Sequence, residues 1–201
     1  MTHIYVTCLL SIFLLLSGCA HQQILTGGDK FEWKQHSEQV KSLKSWDIDG
    51  KMGVRQDTKG ASFNVAWKQY PTEFQLTLSG PLGQGAINVS GDRYGVTMID
   101  SDGTVHKARS LEQLMAENTR LRLPLAQLPY WVKGIADPHY PATISLNENN
   151  LAGQLDQLGW TVNYLSYFQL SPPLPQKLKF QQGENSGKLI IKRWKFSETG
   201  R

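Results

Sequence analysis

The chain has 201 residues, 21 Lys and Arg against 17 Asp and Glu, and a formal net charge of +4. So small a surplus, with no basic stripe interleaved with stacking aromatics, excludes a nucleic-acid binder and leaves at most weak attraction to anionic lipid or to an acidic partner. The only two cysteines, Cys8 and Cys19, both fall near the N-terminus, which excludes a disulfide framework and a catalytic thiol in the body of the chain.

Ile4 to Leu16 is an apolar run too short to span a bilayer, and it is followed by Leu16-Ser17-Gly18-Cys19. Small residues before a cysteine mark a lipoprotein signal, although the segment ahead of the run has no Lys or Arg. Residues 1–18 are expected to be a lipoprotein signal peptide, with cleavage after Gly18 and lipidation of Cys19. Residues 19–28, polar and ending in Gly27-Gly28, read as a lipidated tether, and residues 29–201 as one domain with one sizeable core.

From Asp29, the residues Phe31, Trp33, His36, Val40, Leu43 and Trp46 recur at steps near three and four. The spacing predicts an amphipathic helix of some four turns with Asp29 as its N-cap. Alternation then takes over. Ile48, Gly50, Met52 and Val54 share one strand face, and Ala61, Phe63, Val65 and Trp67 share another, with Asp57-Thr58-Lys59-Gly60 as the turn. Phe74, Leu76 and Leu78 lead to the loop Ser79-Gly80-Pro81-Leu82-Gly83-Gln84-Gly85, and Ile87 and Val89 lead away from it.

That loop carries a bulky aliphatic residue where a polar tip is expected. Pro81 fixes φ, while Gly80, Gly83 and Gly85 permit positive φ, so Leu82 stands between a stiff residue and permissive ones. Either Leu82 folds back onto its hairpin, or it is displayed to a membrane or a partner.

Strands over Tyr94–Asp100 and Thr104–Ala108 complete a first meander. Ser110-Leu111-Glu112-Gln113 has the form of a capping box, with Leu111, Leu114 and Met115 as an apolar ridge. Pro124 opens a second helical piece bearing Leu125, Leu128, Trp131 and Val132; Pro129 should break it into short turns and Gly134 should end it. Strands return over Ala142–Leu146, Leu151–Gln157, Trp160–Phe168, Lys177–Gln182 and Lys188–Lys195, and Pro172-Pro173-Leu174-Pro175 argues against a central strand at those four residues. The expected fold is mainly β (α+β): an incomplete antiparallel β-barrel of about eleven strands, with helices plugging or capping a hydrophobic cavity.

Enzyme signatures are absent. There is no His-Glu-x-x-His, Gly-x-Ser-x-Gly or Walker loop; the glycines around Leu82 precede a strand, and His21, His36, His106 and His139 have no ligand spacing. Asp100 and Asp102 read as turn caps. No catalytic residue, metal or cofactor is expected.

The lipobox Leu16 to Cys19, the opening Phe31-x-Trp33-x-x-His36, the strand ending in Trp67, the Pro81-Leu82-Gly83 loop, the Pro124-Leu125-x-x-Leu128 segment with Trp131 and Gly134, and a terminal strand ending near Trp194 follow one another in an order that resembles the LolB family of outer-membrane lipoproteins. The resemblance runs from Cys19 to the C-terminus. It implies N-acyl and S-diacylglycerol lipid on Cys19, with Ala20 in place of the aspartate that retains lipoproteins at the inner membrane. It also implies a monomer anchored in the outer membrane and facing the periplasm, which accepts lipoproteins from a LolA-type carrier and inserts them. Leu82 matches the aliphatic residue this family uses for membrane insertion. Alternation nominates Met52, Val54, Phe63, Val65, Trp67, Phe74, Leu76, Leu78, Ile87, Val89, Leu125, Leu128 and Trp131 as acyl-cavity residues, each of which could equally be plain core. The alternative function is a scaffolding lipoprotein of an envelope complex that binds no acyl chains.

Overall fold

The computed structural model describes residues 22–56, 58–83, 85–118 and 124–196. The segment expected to be a signal peptide, Cys19, Asp57 and Gln84 lie outside the described residues, as does the side chain of Met115. Among the described residues, one helix precedes the sheet: α1 (Trp33–Ser42). Strands β1 (Trp46–Gln56), β2 (Lys59–Gln69), β3 (Glu73–Ser79), β4 (Ile87–Asp92), β5 (Gly95–Ile99) and β6 (Val105–Ala108) follow. Two short helices, α2 (Leu111–Asn118) and α3 (Leu128–Trp131), separate these from β7 (Ala142–Leu146), β8 (Ala152–Gln157), β9 (Trp160–Phe168), β10 (Leu174–Gln182) and β11 (Asn185–Phe196).

All eleven strands form one unclosed antiparallel sheet in the order β6-β5-β4-β3-β2-β1-β11-β10-β9-β8-β7. Chain neighbours pair throughout except β6 and β7, and the first strand pairs with the last, where Met52 faces Leu189 and Ile48 faces Trp194. The two free edges, β6 and β7, are therefore the ends of the one connection that carries α2 and α3. The sheet stays open where the chain turns helical.

Period-two alternation places whole rows of side chains on one face. Cross-strand register links Ile48 to Trp67, Trp67 to Leu76, Leu76 to Val89 and Val89 to Met98, all inward. Gly91 has a steric reason to lack a side chain, since a Cβ there would run into the Phe74 ring across the pair. Gly50 faces a bulge in β11, where a Cβ would meet the Ile190 carbonyl.

Several expectations are corrected. The first helix begins at Trp33 and not at Asp29: the Glu32 side chain accepts from the Gln35 amide at 2.6 Å as N-cap, while the Asp29 carbonyl accepts from Asn149. Trp46 belongs to β1 and is 1% exposed. Lys59 and Gly60 lie in β2 and not in the turn. Leu174 and Pro175 lie in β10, because the register shifts between Pro175 and Lys177, and a bulge tolerates a residue without an N–H. Residues 22–25, read as part of a free tether, are bound to the domain. Leu25 donates to the Tyr167 carbonyl at 2.8 Å, Gln169 donates to the Gln23 carbonyl at 2.8 Å, and the Gln22 amide bridges both backbone groups of Trp194.

The capping box forms in part, its return bond reaching one residue further back than the motif implies. Ser110 Oγ accepts from the Gln113 amide at 3.2 Å, and Gln113 Oε1 accepts from the Arg109 amide at 3.2 Å. Leu114 of α2 joins Val89, Val96 and Met98 in a core cluster. The segment from Pro124 makes two short turns, with the Pro124 carbonyl accepting from Gln127 and Leu128, and Gly134 leaves α3 at φ 82°.

Candidate functional site

A cavity of about 360 Å³ lies between the inward faces of β1–β5 and the helical connection. Within the size range of pockets that take small ligands, its wall is almost wholly apolar. Every nominated cavity residue except one lines it: Met52 and Val54 of β1; Phe63, Val65 and Trp67 of β2; Phe74, Leu76 and Leu78 of β3; Ile87 and Val89 of β4; and Leu125 and Leu128 ahead of and within α3. Trp131 is the exception. It is fully buried, its indole N–H donates to Gln157 Oε1 at 2.9 Å, and its carbonyl accepts from Tyr164. Its place is in the packed core and not in the cavity wall.

Sequence reasoning missed Val96 and Met98, Phe180 and Leu189, Ala126 and Pro129, and a polar fringe of Gln69, Asp92, Arg109, Ser110 and Glu112. Val96 and Met98 continue the same alternation one strand further and could have been found that way. Phe180 and Leu189 arrive only through the pairing of β11 on β1, a contact no local pattern announces. The fringe gathers where β2 and β4 end and α2 begins.

At the opposite end of these strands stands the loop. Leu78 and Ile87, the last cross-strand pair before it, both line the cavity, so the cavity reaches the base of the loop. Pro81–Gly83 forms a single 3-10 turn closed by the Gly83 amide on the Gly80 carbonyl at 3.1 Å. Asn64 Nδ2 donates to the same carbonyl at 3.1 Å and fixes the loop's root. Leu82 is 96% exposed. It also adopts φ 61°, ψ 17°, a left-handed conformation that costs a leucine roughly 1–2 kcal/mol. Glycines nearby were expected to take the positive φ values; Gly83 and Gly85 do, at 80° and 61°, but the leucine does as well. An apolar side chain held both strained and in water has no packing reason to be there.

Titratable groups serve structure. Burial lowers the pKa of His36, whose Nε2 lies 2.8 Å from the Pro173 carbonyl and whose Nδ1 is buried without a partner. Burial also lowers that of Lys133 to about 8; its Nζ donates to the Leu43 carbonyl at 3.1 Å. Asp100 caps its turn by accepting from the amides of Asp102 and Thr104, and the hydrogen bond from His106 holds its carboxyl below the usual range. Among the described residues no group of three His, Cys, Asp or Glu could hold a metal ion.

Comparison with known proteins places this geometry. Residues 44–194 match the family model described as "Outer membrane lipoprotein LolB". A protein of Pseudomonas putida (strain GB-1) named "Outer-membrane lipoprotein LolB" is 33% identical over 195 residues, covering 94% of this chain and 95% of its own. A protein of the same name from Pseudomonas syringae pv. syringae is 31% identical over 195 residues, with the same 94% and 95% coverage. Two solved structures share the fold, each with a TM-score of 0.55. One is a LolA superfamily protein from Nitrosomonas europaea (8% identity, 85% of this chain and 96% of that one), and the other a DUF1329 family protein from Desulfovibrio piger (7%, 87% and 96%).

Proposed function

The chain belongs to the LolB family, lipid-anchored lipoproteins of the outer membrane, and from that premise we propose that its cavity accepts the acyl chains of other lipoproteins and that Leu82 delivers them to the bilayer. One observation carries this reading: the apolar cavity runs to the foot of a loop whose tip is a leucine 96% exposed. A buried chain of about sixteen carbons contributes on the order of 12 kcal/mol at ~0.8 kcal/mol per methylene, so release through water is prohibitively slow. Handover must pass from one apolar cavity to another and then into lipid. The donor in this scheme is a LolA-type carrier in the periplasm, met cavity to cavity, with the cargo moving towards the tighter site without an energy source. No bond is made or broken in such a transfer, and no catalytic residue or cofactor is assigned beyond the N-acyl and S-diacylglycerol lipid on Cys19. That lipid is the chain's own anchor.

At the membrane, Leu82 exchanges water for hydrocarbon. Full burial of a leucine contributes roughly 1.5–3 kcal/mol, enough to bias the loop into the bilayer surface but not to hold it there. A transient visit is what delivery requires. The other reading, a scaffold whose apolar sheet is only a core, is not favoured by the family assignment and leaves both the void and the exposed leucine without a purpose.

The test is incorporation into liposomes of a lipoprotein presented by a loaded carrier. Leu82→Glu is expected to leave the fold and cargo capture intact while stopping incorporation. Incorporation at the normal rate would overturn the role given to the loop.

A further inference from the structure

The outward face of the same sheet carries its charge unevenly. On one side of the strands' midpoint, cross-strand register sets Lys179 directly opposite Lys188, with Gly53 and Ser62 continuing the row across β1 and β2. The row on one side of it runs Lys177, Ile190, Lys51, Asn64 and Ser79, and the row on its other side runs Gln181, Ser186, Arg55 and Gly60. Lys51, Arg55, Lys179 and Lys188 are exposed and Lys177 is half-buried. No described carboxylate lies within ion-pair distance of any of them, whereas Asp49, at the other end of the same face, takes both Arg193 and Lys195. These cations by themselves exceed the chain's net charge of +4. Like charges directly opposite on a sheet are unfavourable, so the strip is not explained by folding.

Two features say what covers it. A shallow groove of about 630 Å³ lies among Arg55, Lys179 and Lys188, with Gly53, Gly60 and Ser186 in its wall, so small anionic groups can reach the backbone between the cationic side chains. The row through Lys51 ends at Ser79, the last residue before the Leu82 loop, and Asn64 in that row holds the Gly80 carbonyl at 3.1 Å. Lys51 is two strands from Ser79, about 10 Å at ordinary strand spacing. The leucine and the cations therefore adjoin on one side of the molecule.

We propose that this strip binds the phosphate headgroups of anionic phospholipid, so that the sheet lies against the bilayer while Leu82 enters it. The strip sets which side of the domain meets the membrane, and the leucine marks where cargo crosses. The orientation rests on the role given to Leu82 above, whereas the headgroup contact stands on charge alone.

The experiment uses the mature-length chain with Cys19→Ala, which lacks its own lipid, and measures co-sedimentation with vesicles of phosphatidylethanolamine mixed with either phosphatidylglycerol or phosphatidylcholine. Binding is expected to favour phosphatidylglycerol and to weaken as salt rises. Each cation near an anionic surface is worth about fivefold, so Lys179→Gln with Lys188→Gln should lower binding to the anionic vesicles on the order of twentyfold. The double variant should melt no lower than its parent. Leu82→Ser, which removes the aliphatic side chain without adding charge, should weaken binding to both vesicle types while keeping their ratio, which separates failure of the loop from failure of the strip. Equal binding to both vesicle types, or a double variant that binds anionic vesicles normally, overturns the proposal. In the latter case, loss of cargo acceptance from the carrier would assign the strip to an acidic protein instead.

Discussion

Along β8, β9 and the parts of β10 and β11 away from Phe180 and Leu189, the inward side chains are packed to completion: Leu155, Val162, Leu174, Leu178 and Ile191 are all 0% exposed, and α3 lays the Trp131 ring among them. Along β2–β4, side chains of the same kind on the same face, Phe63, Phe74, Leu76, Leu78 and Ile87, are only half-buried and surround the cavity. The difference lies in what covers each half. β8 and β9 receive α3 and its hydrogen bonds, the Tyr164 hydroxyl to the Trp131 carbonyl at 3.0 Å and Gln157 to both Trp131 and Asp137. Among the described residues, β2–β4 receive only the short apolar pieces around Leu111, Leu125 and Leu128. Unfilled apolar volume forfeits dispersion contacts, a cost that the proposed acyl occupant would offset.

The contrast is sharpest in stability. Leu155→Ala should cost about 2–5 kcal/mol, since it opens a void in a closed core. Leu78→Ala, which enlarges a space already present, should cost about 1 kcal/mol or less. Urea unfolding of the two variants measures the gap, and equal losses would mean the halves are packed alike.

A second break comes through pH. Lys133 is buried beside the packed half, and its pKa is lowered to about 8 from an unfolded 10.5. Between those values the unfolded chain binds the extra proton, so stability should rise from pH 8 towards 10, by on the order of 2–3 kcal/mol. Above pH 10 the trend should reverse, because burial raises the pKa of Tyr164 and Tyr167 and only the unfolded chain loses those protons. Thermal melts across this range should lose the rise in Lys133→Met. Below pH 6.5 the sign for His36 is the opposite of that for a paired histidine. Its folded pKa is lowered by burial, so stability present above 6.5 is lost as pH falls through the folded value, and His36→Gln should flatten that decline.

The smallest expected effect is at the loop. Leu82→Gly removes a left-handed leucine and should stabilise the domain by up to about 1 kcal/mol while abolishing delivery. A gain in stability together with a loss of delivery would separate the exposed loop from both halves of the sheet.

Much of this architecture was legible beforehand because alternation and turn chemistry act locally. The eleven strands, the Ser110 capping box and the loop at Leu82 all follow from residues close in sequence. Alternation identifies a face but not what occupies it, which is why Trp131 was grouped with the cavity residues and why Val96, Met98, Phe180 and Leu189 went unnamed. The helix start was misread because Glu32, four residues before the first buried residue, His36, caps with a side chain as well as Asp29 could have done. The docking of residues 22–25 on β9 and β11 depends on partners more than 140 positions away, beyond the reach of any local pattern.

The central claim is that acyl chains enter beside β1–β5 and not among β8–β11. A palmitoyl chain carrying a photoactivated group near its end, attached to a lipoprotein and presented by a LolA-type carrier, tests it directly. The account predicts cross-links in the peptides spanning 52–98, at residues such as Phe63, Leu76 and Leu78. Cross-links confined to 151–168, or none while the cargo still changes hands, would contradict it.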